Sequence, residues 1–156
     1  MPLRNISIKH LRCFDQVEIS LSPGINFFYG ANGSGKTSML EAVFIFSSGK
    51  SFKSSNLQSL IKYDKENFYL KGFDGNGGHI IEVEKYKNKP VSLKFNNKKI
   101  VTGELIKKFP CTPIHNNTFS FTSAPPDFRR KLLDRSIFIA DDRFSSIWFS
   151  YYRALK

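Results

Sequence analysis

Cysteine is nearly absent from this chain. Cys13 and Cys111 are too few for a disulfide scaffold, and both are expected to be reduced thiols in the core. Acidic residues are scarce as well: 13 Asp and Glu stand against 24 Lys and Arg, a formal net charge of +11. That imbalance points to a polyanionic partner, a nucleotide or nucleic acid, or else to a solvated basic surface. No apolar run approaches the roughly 20 residues that a bilayer crossing needs. The opening MPLRNISIKHLRCF lacks an apolar stretch before a small-residue cleavage site, so it is not expected to be a signal peptide. A cytoplasmic location without a membrane partner is therefore expected. His10, His79 and His115 are scattered and lack metal-ligand spacing. There is no internal repeat and no low-complexity tract.

What is present suits a folded core. The chain has 156 residues, 40% of them hydrophobic, with 16 Phe and 6 Tyr. Alternation predicts strands over residues 3–9 and 17–21, and Pro23-Gly24 is a turn signal. Residues 25–29 are a short apolar run expected to be a buried strand. Residues 37–47 predict a helix whose apolar stripe is Met39, Leu40, Val43, Phe44 and Phe46, stopped at Gly49. Residues 68–74 and 79–86 predict a hairpin around Gly75-Asn76-Gly77-Gly78, and residues 91–95 and 99–102 flank a turn at Asn96-Asn97. A short helix is expected over 104–109, then loop over 111–126, then helices from Asp127 onward. In those helices Leu132, Leu133, Ile137 and Ala140 share one face, and Phe144, Ile147, Trp148, Tyr151 and Leu155 a second. The chain stops at Lys156 inside this helical pattern, which suggests a polypeptide cut short. The expected organisation is a first lobe over 1–110, with an antiparallel section, and loop with the beginning of a helical subdomain over 111–156.

The strongest motif lies between the apolar run and the first helix. Gly30-Ala31-Asn32-Gly33-Ser34-Gly35-Lys36-Thr37 satisfies G-x-x-x-x-G-K-[ST] in full. Its glycines let the backbone curl so that N–H groups face phosphates. The helix start adds unpaired N–H donors and a favourable dipole, with Ser38 in the first turn. Lys36 would reach the β- and γ-phosphates of ATP as the catalytic cation, and the Thr37 hydroxyl would coordinate Mg²⁺. Hydrolysis needs more: a carboxylate at a strand end and an activated water. Ile137-Phe138-Ile139-Ala140-Asp141-Asp142 supplies them if the segment is a strand, giving a compact kinase or NTPase. The spacing of Leu132, Leu133, Asp134 and Arg135 favours a helix instead, which leaves the hydrolytic machinery incomplete.

These residues resemble the RecF family of bacterial recombination mediators, ABC-type ATPases akin to the SMC proteins. The likeness starts in the strand at Leu3 and passes through Leu11-Arg12-Cys13-Phe14, in the place of the family's N-F-R element. It continues through the Pro-Gly turn, the loop with Asn32, Leu40-Glu41-Ala42, Gly49-Lys50-Ser51-Phe52 and Leu60-Ile61. Pro126, Arg129-Arg130, Leu133-Asp134 and Tyr152-Arg153-Ala154-Leu155 resemble a later family region. Only the first portion of a typical member is covered. The resemblance implies an α/β P-loop NTPase of the ABC-ATPase head type, with a mixed sheet, an antiparallel section and C-terminal helices. It further implies ATP held between two self-associating heads, binding of single-stranded or gapped duplex DNA, and work with RecO and RecR. Arg12 would approach the nucleotide. Residues 114–118 and Ala124 depart from the family pattern, with Thr118 where an Asp is usual.

The basic residues form two clusters. Lys85, Lys87, Lys89, Lys94, Lys98, Lys99, Lys107 and Lys108 lie against Glu104 alone, and Arg129-Arg130-Lys131 follow. Lysines at this density can track DNA phosphates, with Tyr86 and Phe95 either stacking on bases or facing the core. A non-catalytic DNA-binding or partner-docking module is the remaining alternative.

Overall fold

The computed structural model describes residues 3–75, 78–114 and 125–155. The chain forms two compact units, Met1–Thr112 and Pro113–Lys156. In the first, β1 (Leu3–Leu11) and β2 (Phe14–Ser20) form a hairpin, followed by α1 (Lys36–Ser48) and a 3-10 turn over Leu57–Leu60. Then come β3 (Asn67–Asp74), β4 (Ile80–Tyr86), β5 (Ser92–Phe95), β6 (Lys98–Lys99) and α2 (Thr102–Lys108). The sheet order is β2-β1-β3-β4-β5-β6, and every described pairing is antiparallel.

Period-2 alternation sets the faces of this sheet. Ile6 and Ile8 of β1, Phe68 and Leu70 of β3, and Ile81 and Val83 of β4 are buried on one side. Ser7, Tyr69, Glu82 and Glu84 lie on the other, paired in register as Ser7↔Lys71, Tyr69↔Glu84 and Lys71↔Glu82. The Asn96-Asn97 turn falls between β5 and β6, both residues having positive φ (48° and 63°), the conformation of a tight hairpin turn. Helix α1 covers the apolar face with Met39, Ala42, Ile45 and Phe46. Met39, Ile45 and Phe46 each contribute about 1.5–3 kcal/mol relative to exposure.

Several expectations need correction. Residues 25–29 form no strand. No described strand lies beside them to take their backbone hydrogen bonds, and Ile25, Phe27 and Tyr29 stand 78%, 83% and 94% exposed. The stripe on α1 is also rotated from the expected one: Leu40 is exposed, whereas Ser38, Glu41, Ser47 and Ser48 are buried. Helix α2 packs against α1, and these short hydroxyl side chains are buried although hydropathy alone reads them as polar. Neither cysteine lies in the core. Cys13 is exposed because it sits in the β1–β2 turn, and Cys111 is half-buried. Tyr86 closes β4 on the exposed side, while Phe95 packs against the core.

The second unit contains α3 (Pro126–Ala140) and α4 (Phe144–Ala154). Pro126 suits the first helical position, where no N–H bond is lost. Asp141 caps the end of α3 and accepts a bond from the Arg143 amide at 2.8 Å. Ile137 to Ala140 are therefore helical, and the strand-borne Asp141-Asp142 site of a compact kinase or NTPase is overturned. The shared face of Leu132, Leu133, Ile137 and Ala140 is not covered as expected: Leu133, Ile137 and Ala140 are exposed. The divergent stretch at His115 to Thr118, with Ala124, lies outside the described residues. Among the described residues no helix is long and apolar enough to cross a membrane.

Candidate functional site: the loop before helix α1

The loop that precedes α1 is shaped by its glycines. Gly35 has φ 95° and is the N-cap of α1. A Cβ there would stand 2.6 Å from the Phe14 ring and 3.0 Å from Cys13 Sγ, so the position excludes any side chain on two counts. Gly33, at φ 84°, completes the left-handed curl. The helix start that results has no side-chain cap and no acidic residue in its first turn. Its N–H groups and dipole are thus available to an anion, with no carboxylate to repel it. Lys36 Nζ stands in the mouth of the loop, donating to the carbonyls of Gly30 and Ala31, both at 2.8 Å.

A cleft of about 420 Å³ opens at this helix start. Asn32, Gly33, Gly35, Lys36, Thr37 and Ser38 line one side, and Arg12, Cys13, Glu41 and Lys53 the rest. Most of the expected site residues converge here. Gly30 and Ala31 contribute carbonyls to Lys36 but do not line the cleft. Ser34 points instead into an apolar groove with Phe27, Phe28 and Met39.

Arg12 reaches the cleft from the β1–β2 turn, where it has φ 52° and its amide donates to Leu60 O at 2.7 Å. Its guanidinium is already engaged. Nε donates to Glu41 Oε2 at 2.7 Å and Nη2 to Glu41 Oε1 at 3.1 Å, a bidentate pair. Glu41 is fully buried, whereas the Arg12 side chain is 30% exposed. Removing the arginine would strand a buried carboxylate, at a cost of about 3–5 kcal/mol. Glu41 also accepts a hydrogen bond from Ser51 Oγ. The sequence singled out neither Glu41 nor Lys53 as a site residue. The available signal was a carboxylate at the spacing of a buried helix face, since a buried charge needs a partner.

The fold and this loop define a P-loop head of the ATP-binding type. A family model described as RecF/RecN/SMC N terminal domain matches residues 2–121, and the chain belongs to that family. It is 38% identical over 161 residues to the DNA replication and repair protein RecF of Glaesserella parasuis, covering 100% of this chain and 44% of that relative. It is 34% identical over 161 residues to the RecF of Pseudoalteromonas translucida, with the same coverage. The chain thus spans less than half the length of these curated relatives. A solved structure of the recombination mediator protein RecF with ATP, from the RecFOR pathway, superposes with TM-score 0.84 at 28% identity. It covers 97% of this chain and 43% of that one. An SMC head bound to the C-winged helix domain of ScpA shares the fold, with TM-score 0.66 at 20% identity, covering 97% and 55%.

Proposed function

We propose that this chain carries the ATP-binding part of a RecF-like DNA repair and recombination ATPase. The observation that carries this reading is the uncapped, acid-free helix start behind Gly33 and Gly35, with Lys36 at its mouth. Backbone N–H groups from Gly33 to Ser38 cradle the phosphates of ATP, Lys36 supplies the cation, and the Thr37 hydroxyl supplies one ligand to Mg²⁺. Bound Mg²⁺ neutralises phosphate charge. The protein's share is to orient the phosphates and exclude water from the loop. Among the described residues Glu41 is the one carboxylate that lines the cleft, and Arg12 and Ser51 occupy it. Binding with slow turnover is therefore the expected behaviour of this chain by itself.

The family supports the wider reading: single-stranded or gapped duplex DNA, RecO- and RecR-type proteins, and ATP-dependent self-association as partners. On this chain Lys94 and Lys99 sit directly opposite each other across β5 and β6, and Lys108 Nζ lies 4.8 Å from the centre of the Phe95 ring. Such an edge suits a phosphate backbone. Lys85 and Lys87 suit it less, being engaged by Lys89 O and Glu66.

The test is equilibrium binding of ATP with Mg²⁺ to the wild-type chain and to Lys36→Ala. The variant is expected to bind about 100-fold more weakly, a loss of about 2.8 kcal/mol. Equal affinities would remove the proposed site, and fast turnover that depends on Lys36 would refute the incomplete-machinery reading.

A further inference from the structure

We propose that Glu41 is a positioning residue of the nucleotide cleft, fixing both Arg12 and the turn that carries Lys53 in its lining. The inference rests on the ATP reading above and extends it to a residue that itself touches no ligand. One carboxylate joins these two parts of the lining. Its two oxygens take the Arg12 fork, at 2.7 and 3.1 Å, and Oε1 also accepts from Ser51 Oγ. Ser51 Oγ in turn accepts from the amides of Lys53 and Ser54, both at 2.9 Å. The turn that aims Lys53 at the cleft is therefore tied to the same buried group that holds Arg12.

Burial gives this link its rigidity. Glu41 is fully buried, so an arginine that swung away to a phosphate would leave a desolvated charge behind. Arg12 is consequently a fixed contact and not a mobile one. The guanidinium has five donors, and the fork onto Glu41 uses Nε and one edge of Nη2. Among the described residues Nη1 has no protein partner, which leaves that edge for an anionic ligand. Glu41 thus fixes the Arg12 guanidinium and the backbone that carries Lys53 before the ligand arrives, which lowers the ordering cost of binding.

The experiment uses the full chain and N-methylanthraniloyl-ATP with Mg²⁺ as the probe, with thermal melting run on each variant. Lys36→Ala reports on the loop itself. Glu41→Gln and Arg12→Ala are each expected to weaken binding about tenfold, the scale of one charge-assisted contact. Ser51→Ala, which releases only the Lys53 turn, is expected to cost about threefold. The double variant Arg12→Ala/Glu41→Gln is the readout that a merely structural glutamate would not move. If Glu41 acts largely through Arg12, the pair falls well short of the roughly 100-fold of independent sites. A full multiplicative loss overturns the inference, as does wild-type affinity in Glu41→Gln. If Glu41→Gln does not fold, Ser51→Ala decides: a loss near threefold supports the link, and wild-type affinity overturns it. A wild-type chain that binds no probe, or a Lys36→Ala that binds as wild type does, overturns the ATP reading itself.

Discussion

Helices α1 and α4 of this chain are similar in length and opposite in how they are held. Nine of the 13 residues of α1 are buried, including a carboxylate that three side-chain donors satisfy. None of the 11 residues of α4 is buried. Its contacts are local: Trp148 stacks on Tyr152 with centroids 4.2 Å apart and donates to Asp134 of α3 at 3.4 Å. Charges near α4 pair along their own helix or its end, as in Arg130–Asp127 and Arg143–Asp141, both 3.3 Å and exposed. One helix owes its existence to tertiary burial. The other, built largely of Phe, Ser, Ile, Trp and Tyr with only middling helix propensity, rests on short-range pairs that contribute only tenths of a kcal/mol each.

The largest test of that contrast is a matched pair of truncations. Phe46 is fully buried beneath the sheet, so Phe46→Ala is expected to cost about 3–5 kcal/mol. Phe149, on α4, is 59% exposed, and Phe149→Ala is expected to stay within about 0.5 kcal/mol. Urea midpoints followed by far-ultraviolet circular dichroism decide the matter. Similar losses in the two variants would break the comparison.

The same contrast marks what the sequence could disclose. The strands, the hairpin turn at Asn96-Asn97, α1 with its Gly49 stop, and the helices after Pro126 follow from local pattern. So does the loop, because eight adjacent residues specify it. Three features were hidden because they depend on distant neighbours. Residues 25–29 look like a strand by composition, yet a strand exists only where another lies alongside. The buried flank of α1 consists of Ser and Glu, which hydropathy places outside. The Arg12–Glu41 link joins residues 29 apart in sequence, and no motif announces it. The apolar faces of α3 and α4 were legible as helical, but spacing alone could not say that they stand exposed.

A second test sharpens the contrast by following the units separately. Trp148 is the only tryptophan, so fluorescence excited selectively at tryptophan, at the red edge where tyrosine does not absorb, reports on α3–α4 alone. The sheet dominates the remaining cooperative signal. With no buried residue on α4, the fluorescence transition is expected at lower urea than the circular dichroism transition. Coincident midpoints would show the two units unfolding as one and remove the distinction drawn from burial.

The smallest effect concerns the other face of the sheet, where polar groups pair across neighbouring strands. The Tyr69 hydroxyl donates to Glu82. Partial burial, and then the Glu82 and Glu84 carboxylates, push the tyrosine well above its ordinary pKa. The folded state therefore holds this proton more tightly than the unfolded chain does. Its contribution is complete below the ordinary tyrosine value of about 10 and is lost as pH rises through the folded value. At pH 7, Tyr69→Phe is expected to cost less than about 1 kcal/mol, because the group is only partly buried and solvent screens the pair. Towards pH 11 the wild type loses stability that the phenylalanine variant never had, so the gap between their urea midpoints must close. A gap that stays constant from pH 7 to 11 would mean that the hydroxyl and Glu82 do not interact. Tyr69 would then contribute nothing to holding β3 against β4 beyond its place in the backbone ladder.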